Sequence, residues 1–320
     1  MFERILPELV KQRRSEKADE RLILPDGREA EFDKERFAPI IPKAFDGRIL
    51  FVDGGNAPVF ESPAARVEFV RVYGTAYEGT TRVSTHREEG FILIRSATKE
   101  GKRYVEATGH GIGLHLLIPD DEKELRLGRE RVSLAAVAGL ARFALECRSA
   151  GAWGEGCSLI VRDGSLLPNN SHEEKELQEL LTRNAVGLSK TNTLITASGD
   201  SASALLLEHG PDRPWIYELG SGGNIRFSLV KLHERAEHAF RLDTNSDAGA
   251  VAAALALLAA DPVFPGYPYP LVEADRMARV QNRELEGLRT RLMAEAGGSW
   301  PELRRLARGS DSHGILDRIS

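Results

Sequence analysis

Near the middle of this chain the hydrophobic period changes, and that change limits the folds open to it. Apolar residues first come in strand-like runs, at 49–52, 67–77, 91–98 and 103–108. From 122 to 149 they change spacing, with Leu134, Val137, Ala138, Ala141 and Leu145 recurring at helical intervals until Gly151-Ala152-Trp153-Gly154 closes the segment. Strand character returns at 159–162. Consecutive strands predict an antiparallel meander, and the helix–strand alternation after it predicts a mixed sheet flanked by helices, an α/β fold.

The rest of the chain extends that reading. Ser171 and Glu174 have capping-box spacing ahead of a helix through Leu177, Leu180 and Leu181. A strand is expected at 185–188, paired strands at 225–232 and 239–242, and a helix at 247–260. Four prolines between Pro262 and Pro270 fix the backbone of a loop that feeds another helix near Leu271. At the N-terminus Phe2, Ile5, Leu6, Leu9 and Val10 fall at helical spacing before the charged run Lys11-Gln12-Arg13-Arg14. The expected organisation is an N-terminal helical arm at 1–45, a main domain at 46–296 and a C-terminal tail at 297–320.

With 320 residues and 42% hydrophobic content, the chain can bury one large core or two modest ones. The apolar run at 248–260 is too short to span a bilayer and Met1-Phe2-Glu3-Arg4 lacks a signal peptide's apolar core, so no membrane and a cytoplasmic location are expected. Cys147 and Cys157 share no metal-ligand spacing with histidine and read as core residues. A formal charge of -5 excludes an indiscriminately basic coat, so any nucleic-acid path must be a local patch.

Two acids stand out. Ile49-Leu50-Phe51-Val52 runs into Asp53-Gly54-Gly55, and Leu159-Ile160-Val161-Arg162 into Asp163-Gly164-Ser165. A carboxylate at the end of a buried strand is costly without a partner, so the pair suggests a shared divalent cation. Glu146, late in the intervening helix, is a candidate third ligand. Asp-Gly is also a common turn dipeptide, and a late-helix glutamate is ordinarily solvated.

The segments Phe51-Val52-Asp53-Gly54-Gly55, Val161-Arg162-Asp163-Gly164-Ser165, Gly187-Leu188-Ser189-Lys190-Thr191, Val230-Lys231 with Phe240-Arg241-Leu242-Asp243, and Gly266-Tyr267-Pro268-Tyr269-Pro270-Leu271-Val272-Glu273-Ala274 occur in this order. That ordered set resembles the NurA nuclease family over roughly residues 48 to 280. The resemblance implies an RNase H-like fold, manganese-dependent cleavage of DNA from 5′ ends, a homodimer, and docking onto a hexameric HerA-type ATPase during the processing of double-strand breaks. It further implies that Asp53 bridges two Mn2+ or Mg2+ ions, that Glu146 and Asp163 complete the site, and that Tyr267 contacts or orients the substrate phosphate. Such ions lie roughly 3.5 to 4 Å apart, one activating water and the other stabilising the leaving oxygen.

One position departs from the family. Members usually carry histidine after the alanine of the final motif, where this chain has Asp275. An aspartate there makes the expected ligand set purely oxygen, suited to hard cations. For DNA, Arg276, Arg279 and Arg283 are expected to form one basic helix stripe, with Lys190 and Lys231 as further phosphate contacts. Two other readings stand beside the nuclease. A weakened NurA-like subunit would guide DNA or scaffold the ATPase, and an actin-like or sugar-kinase ATP-binding protein would use Leu219-Gly220-Ser221-Gly222-Gly223 as a phosphate turn. His110 and His115 read as strand or loop histidines.

Overall fold

The computed structural model of the chain describes residues 2–12, 21–24, 27–126, 131–191 and 193–307. Arg13, Arg14 and the tail beyond 307 lie outside them. In chain order the first elements are α1 (Phe2–Gln12), β1 (Leu22–Ile23), β2 (Glu29–Ala30) and β3 (Phe37–Pro39). The meander follows as β4 (Arg48–Glu61), β5 (Ala65–Glu78), β6 (Thr81–Lys99), β7 (Lys102–His110) and β8 (His115–Pro119). Next come α2 (Leu134–Trp153), β9 (Leu159–Asp163), α3 (Ser171–Leu180), β10 (Ala185–Ser189), α4 (Ala202–His209), β11 (Trp215–Gly222), β12 (Ile225–Lys231) and β13 (Phe240–Thr244). The chain continues as α5 (Ala248–Leu258), α6 (Tyr269–Ala278), α7 (Asn282–Ala296) and α8 (Trp300–Ala307).

These elements form two compact units, residues 1–43 with 187–268 and residues 44–186 with 269–320. The leading segment shares its unit with residues 187–268, and residues 44–186 share theirs with the C-terminal helices. In that first unit β3 pairs antiparallel with β11, β11 with β12 and β12 with β13. Trp215, Tyr217 and Phe227 are fully buried there, and Phe37 meets the Trp215 ring edge-on at 5.0 Å.

The second unit carries the mixed sheet, in the order β9-β4-β5-β6-β7-β8. β4 and β9 run parallel, and every other neighbour pair is antiparallel, as the meander requires. Helix α2 begins later than its apolar spacing implies, at Leu134, where the Ser133 side chain accepts from the Ala136 N–H. Most of its residues are buried, which suits a helix packed on β4 to β7 and on α3. The α3 cap also lies one residue before the expected serine: Asn170 Oδ1 accepts from the Glu173 N–H at 2.9 Å. Asparagine is as good an N-cap as serine, so the capping-box spacing at Ser171 misled.

β4 corrects the reading of the first acid. It continues for 14 residues through Asp53-Gly54-Gly55, so Asp53 sits within a strand rather than at its end. Neither glycine makes a turn. A Cβ on Gly54 would lie 2.6 Å from Glu146 Oε1, and one on Gly55 would lie 2.4 Å from the Ala278 carbonyl oxygen. Successive strand residues face opposite sides, so Gly54 admits α2 on one face and Gly55 admits α6 on the other. Asp53 shares the parity of Gly55 and faces α6.

Candidate metal centre

Three elements of the second unit bring acids together. Asp53 comes from β4, Asp163 from the end of β9 and Asp275 from α6, and each offers a carboxylate oxygen within 4.8 Å of the others. All three are half-buried. An open cleft of about 290 Å³ lies over Asp53, Asp275, Arg142 and Arg279. A set of closely spaced carboxylates suits hard, oxygen-preferring divalent cations such as Mn2+ or Mg2+ and fits neither zinc's nor copper's usual nitrogen and sulfur donors.

Helix α6 is fixed by a residue of the same motif. The Glu273 carboxylate accepts from Tyr77 Oη at 3.0 Å, from Tyr73 Oη at 3.3 Å and from Arg82 Nη1 at 2.5 Å. Burial, reinforced by that carboxylate, raises both tyrosine pKa values above the ordinary range. On the same face Tyr73 packs with Ala274 and Ala278. These contacts hold α6 and Asp275 over the sheet, where Tyr73 of β5 is the register partner of Asp53 on β4.

Glu146 does not join the three aspartates. It is 2% exposed on α2 and lies between two arginines: Arg142 Nη1 donates to its Oε1, and Arg162 Nη2 donates to its Oε2 at 2.7 Å. Arg162 itself is 5% exposed, with Nη1 donating to the Ser165 carbonyl at 2.6 Å and its guanidinium 4.7 Å from the Phe143 ring centre. Burial opposes the charge on Arg162, but Glu146 and its neighbours outweigh that and raise the pKa. Arg142 also donates to the Gly54 carbonyl at 3.1 Å.

Neither arginine was singled out from the sequence, although each left a signal. Arg162 follows the buried run Leu159-Ile160-Val161 on the same strand and is buried with it. Arg142 precedes Glu146 by four residues, the spacing of a helical ion pair.

The other candidates are more dispersed. Tyr267, Lys190 and Lys231 belong to the first unit. There the Tyr267 ring packs edge-on against Phe240 at 4.9 Å, and Lys190 Nζ lies 5.3 Å from its centre. Lys231 Nζ donates to the Asp212 carbonyl at 3.3 Å. The expected arginine stripe is broken: α6 ends at Ala278 and α7 starts at Asn282, so Arg276, Arg279 and Arg283 do not share a helix. Arg279 Nη2 instead donates to Asp275 Oδ2 at 2.9 Å. Gly220 to Gly223 is strand end and hairpin turn between β11 and β12, which removes the support for an ATP-binding turn. Burial pushes the Cys147 thiol up to about 12, as befits a core cysteine. No described helix is long and apolar enough to cross a membrane.

The sequence matches the NurA domain family over residues 47–280. The NurA nuclease from Sulfolobus solfataricus superposes with a TM-score of 0.52 at 12% sequence identity, covering 82% of this chain and 88% of that one. The catalytic domain of human endonuclease V gives a TM-score of 0.39 at 11% identity over 81% of this chain and 92% of that one. Endonuclease V from Ciona intestinalis, bound to a 24mer DNA containing an inosine, gives 0.42 at 11% identity over 80% and 94%. No curated protein matches the sequence significantly. With the domain match covering most of its length and the Sulfolobus fold shared, the chain belongs to the NurA family.

Proposed function

We propose that this protein is a metal-dependent deoxyribonuclease whose centre is the Asp53, Asp163 and Asp275 cluster. The observation that carries the reading is the convergence of these carboxylates, within 4.8 Å of one another, from three separate elements of a NurA domain. A phosphodiester resists attack because it is anionic. When bound, divalent cations supply positive charge to the phosphate and acidity to a water beside it. The protein's own part is to hold three oxygens in place and to keep the surrounding charge balanced. Asp53 stands on the rigid sheet, Asp163 on the parallel neighbour strand, and Asp275 on a helix fixed through Glu273. Arg279 pairs with Asp275 and balances its charge. Glu146 stands beside the centre and takes part through Arg142 and Arg162.

Family resemblance supports the finer reading: manganese as the preferred ion, 5′-directed digestion of DNA ends, Tyr267 on the substrate phosphate, Lys190, Lys231, Arg276, Arg279 and Arg283 along the DNA, a homodimer, and a HerA-type hexameric ATPase as partner in double-strand break repair. Asp275 in place of histidine favours hard cations further and keeps the centre competent, because a carboxylate is itself a manganese ligand. The test is digestion of end-labelled DNA with manganese, with magnesium and with chelator, beside Asp53→Ala. Metal-dependent cleavage abolished by the substitution is the expected result. Unchanged cleavage by the variant would remove the cluster from the chemistry.

A further inference from the structure

A second groove, about 410 Å³ in volume, shares Arg142 with the acidic cleft and includes Asp163 of the cluster in its lining. Its floor is one stripe of α2, formed by Ala136, Gly139, Leu140 and Phe143 at helical spacing, and its far wall is the segment from Asp163 to Asn170 that joins β9 to α3. Arg142 lines both openings. Three observations make this groove more than a surface dip.

Gly139 stands inside a 20-residue helix, where glycine is the poorest ordinary helix former. A Cβ there would meet nothing within 4 Å, so no protein neighbour requires the glycine. The space above it is open to the groove.

Arg142 is half-buried and spends only one of its nitrogens: its hydrogen bonds to Glu146 and to the Gly54 carbonyl both come from Nη1. Among the described residues Nη2 and Nε take no acceptor, which leaves an edge of the guanidinium fork for a phosphate. Arg162 lines the groove as well. It is more than nine-tenths buried, and its Nε has no hydrogen-bond partner among the described residues. The N-terminus of α3 does not compete for an anion, since Asn170 caps it and Glu173 accepts from the Asn169 N–H at 2.8 Å.

We propose that this groove is a nucleotide subsite, in which Gly139 leaves room for the sugar and base next to the scissile phosphate and Arg142 grips the phosphate between groove and acidic cleft. The subsite rests on the nuclease reading and adds to it where the strand lies. Arg142 contacts substrate, and Arg162 positions it through Glu146 while adding positive charge to the wall.

The experiment uses the full-length protein with Gly139→Leu, Gly139→Ala, Arg142→Gln, Arg142→Lys and Asp53→Ala. Four quantities are measured: thermal midpoint, manganese affinity by calorimetry, affinity for a fluorescent single-stranded oligonucleotide in chelator, and KM for cleavage. Leucine at 139 fills the groove while favouring the helix. The expected result is an unchanged or raised midpoint and unchanged manganese affinity, with KM and the oligonucleotide dissociation constant rising by about tenfold or more. Alanine should do the same to a smaller degree, and it carries the test if leucine lowers the midpoint. Arg142→Gln should weaken binding and reduce the salt slope by about 1, with Arg142→Lys recovering part of the slope. Wild-type oligonucleotide affinity and KM in the Gly139 and Arg142 variants would overturn the subsite, and so would losses that only follow a fall in midpoint or manganese affinity. An inactive Asp53→Ala beside such unaffected variants would refute the subsite alone, whereas a fully active one refutes the metal-centre reading itself.

Discussion

Removing the Glu146 carboxylate separates two roles that the residue cannot fill equally. The family resemblance makes it a ligand, while the fold makes it the counter-charge of a buried arginine. In Glu146→Leu, Arg162 would lose its paired carboxylate and keep the Ser165 carbonyl at 2.6 Å, the Phe143 ring at 4.7 Å and the weaker attraction of Asp53. Opposite charges ~4 Å apart attract by about 4 kcal/mol at an effective dielectric of about 20. Stripping one partner from a buried pair typically costs about 3–5 kcal/mol, because the other charge is stranded. A loss of that size is expected for Glu146→Leu in urea denaturation performed with chelator, where no ion contributes. Replacing both partners, as Glu146→Leu with Arg162→Met, should recover most of it, since a well-packed apolar pair substitutes for a buried ion pair at little net cost. A single-variant loss below about 1 kcal/mol, with a double variant no better, would refute the counter-charge role. Should manganese affinity collapse in that same variant, the carboxylate belongs to the ion.

Two other perturbations follow from contacts elsewhere in the second unit. Glu273→Ala removes the acceptor shared by Tyr73, Tyr77 and Arg82; a loss of about 1–3 kcal/mol is expected, together with weaker manganese binding because Asp275 rides on the same helix, and calorimetric titration would show it. Glu106 is held from 4.5 down to about 2, first by its hydrogen bond with His115 and then by Lys99. A depressed carboxylate adds stability above its unfolded value and loses it as pH falls toward the folded one, so the denaturation midpoint should decline between pH 4.5 and 2 in the wild type and more shallowly in Glu106→Gln.

Much of the architecture was legible because period is a strong signal. The four strand runs before residue 110 and the helix through Leu145 reappear as β4 to β7 and α2. What stayed hidden was of two kinds. β11 ends in Leu219-Gly220-Ser221-Gly222, where glycines mask strand character and suggest a phosphate turn, although the strand only shifts register there. Helix boundaries depended on caps that compete locally, Asn170 over Ser171 and the break after Ala278, and these undid the arginine stripe. At the candidate site the two aspartates were readable from apolar runs ending in acid and glycine. Asp275 needed the motif order, and its proximity to Asp53 and Asp163 is a tertiary fact. Arg142 already stood at helical ion-pair spacing from Glu146 within α2, whereas the pairing of Arg162 with Glu146 became visible only once α2 had been laid against β9.

The placement of Asp53 inside β4 bears on when the centre is built. Its backbone lies between the register pairs Val52 with Gly74 and Gly54 with Val72, so exposing it means parting β4 from β5 across much of their length. Its amide should therefore exchange with solvent deuterium only through near-complete unfolding, at the slow end of the protein's range, and should do so with chelator as with manganese. Were the cluster to bind a cation, its ligand on β4 would already be held by the sheet before the ion arrived. Metal would then tune reactivity while leaving the shape of the protein nearly untouched, unlike a loop site that the ion must first assemble.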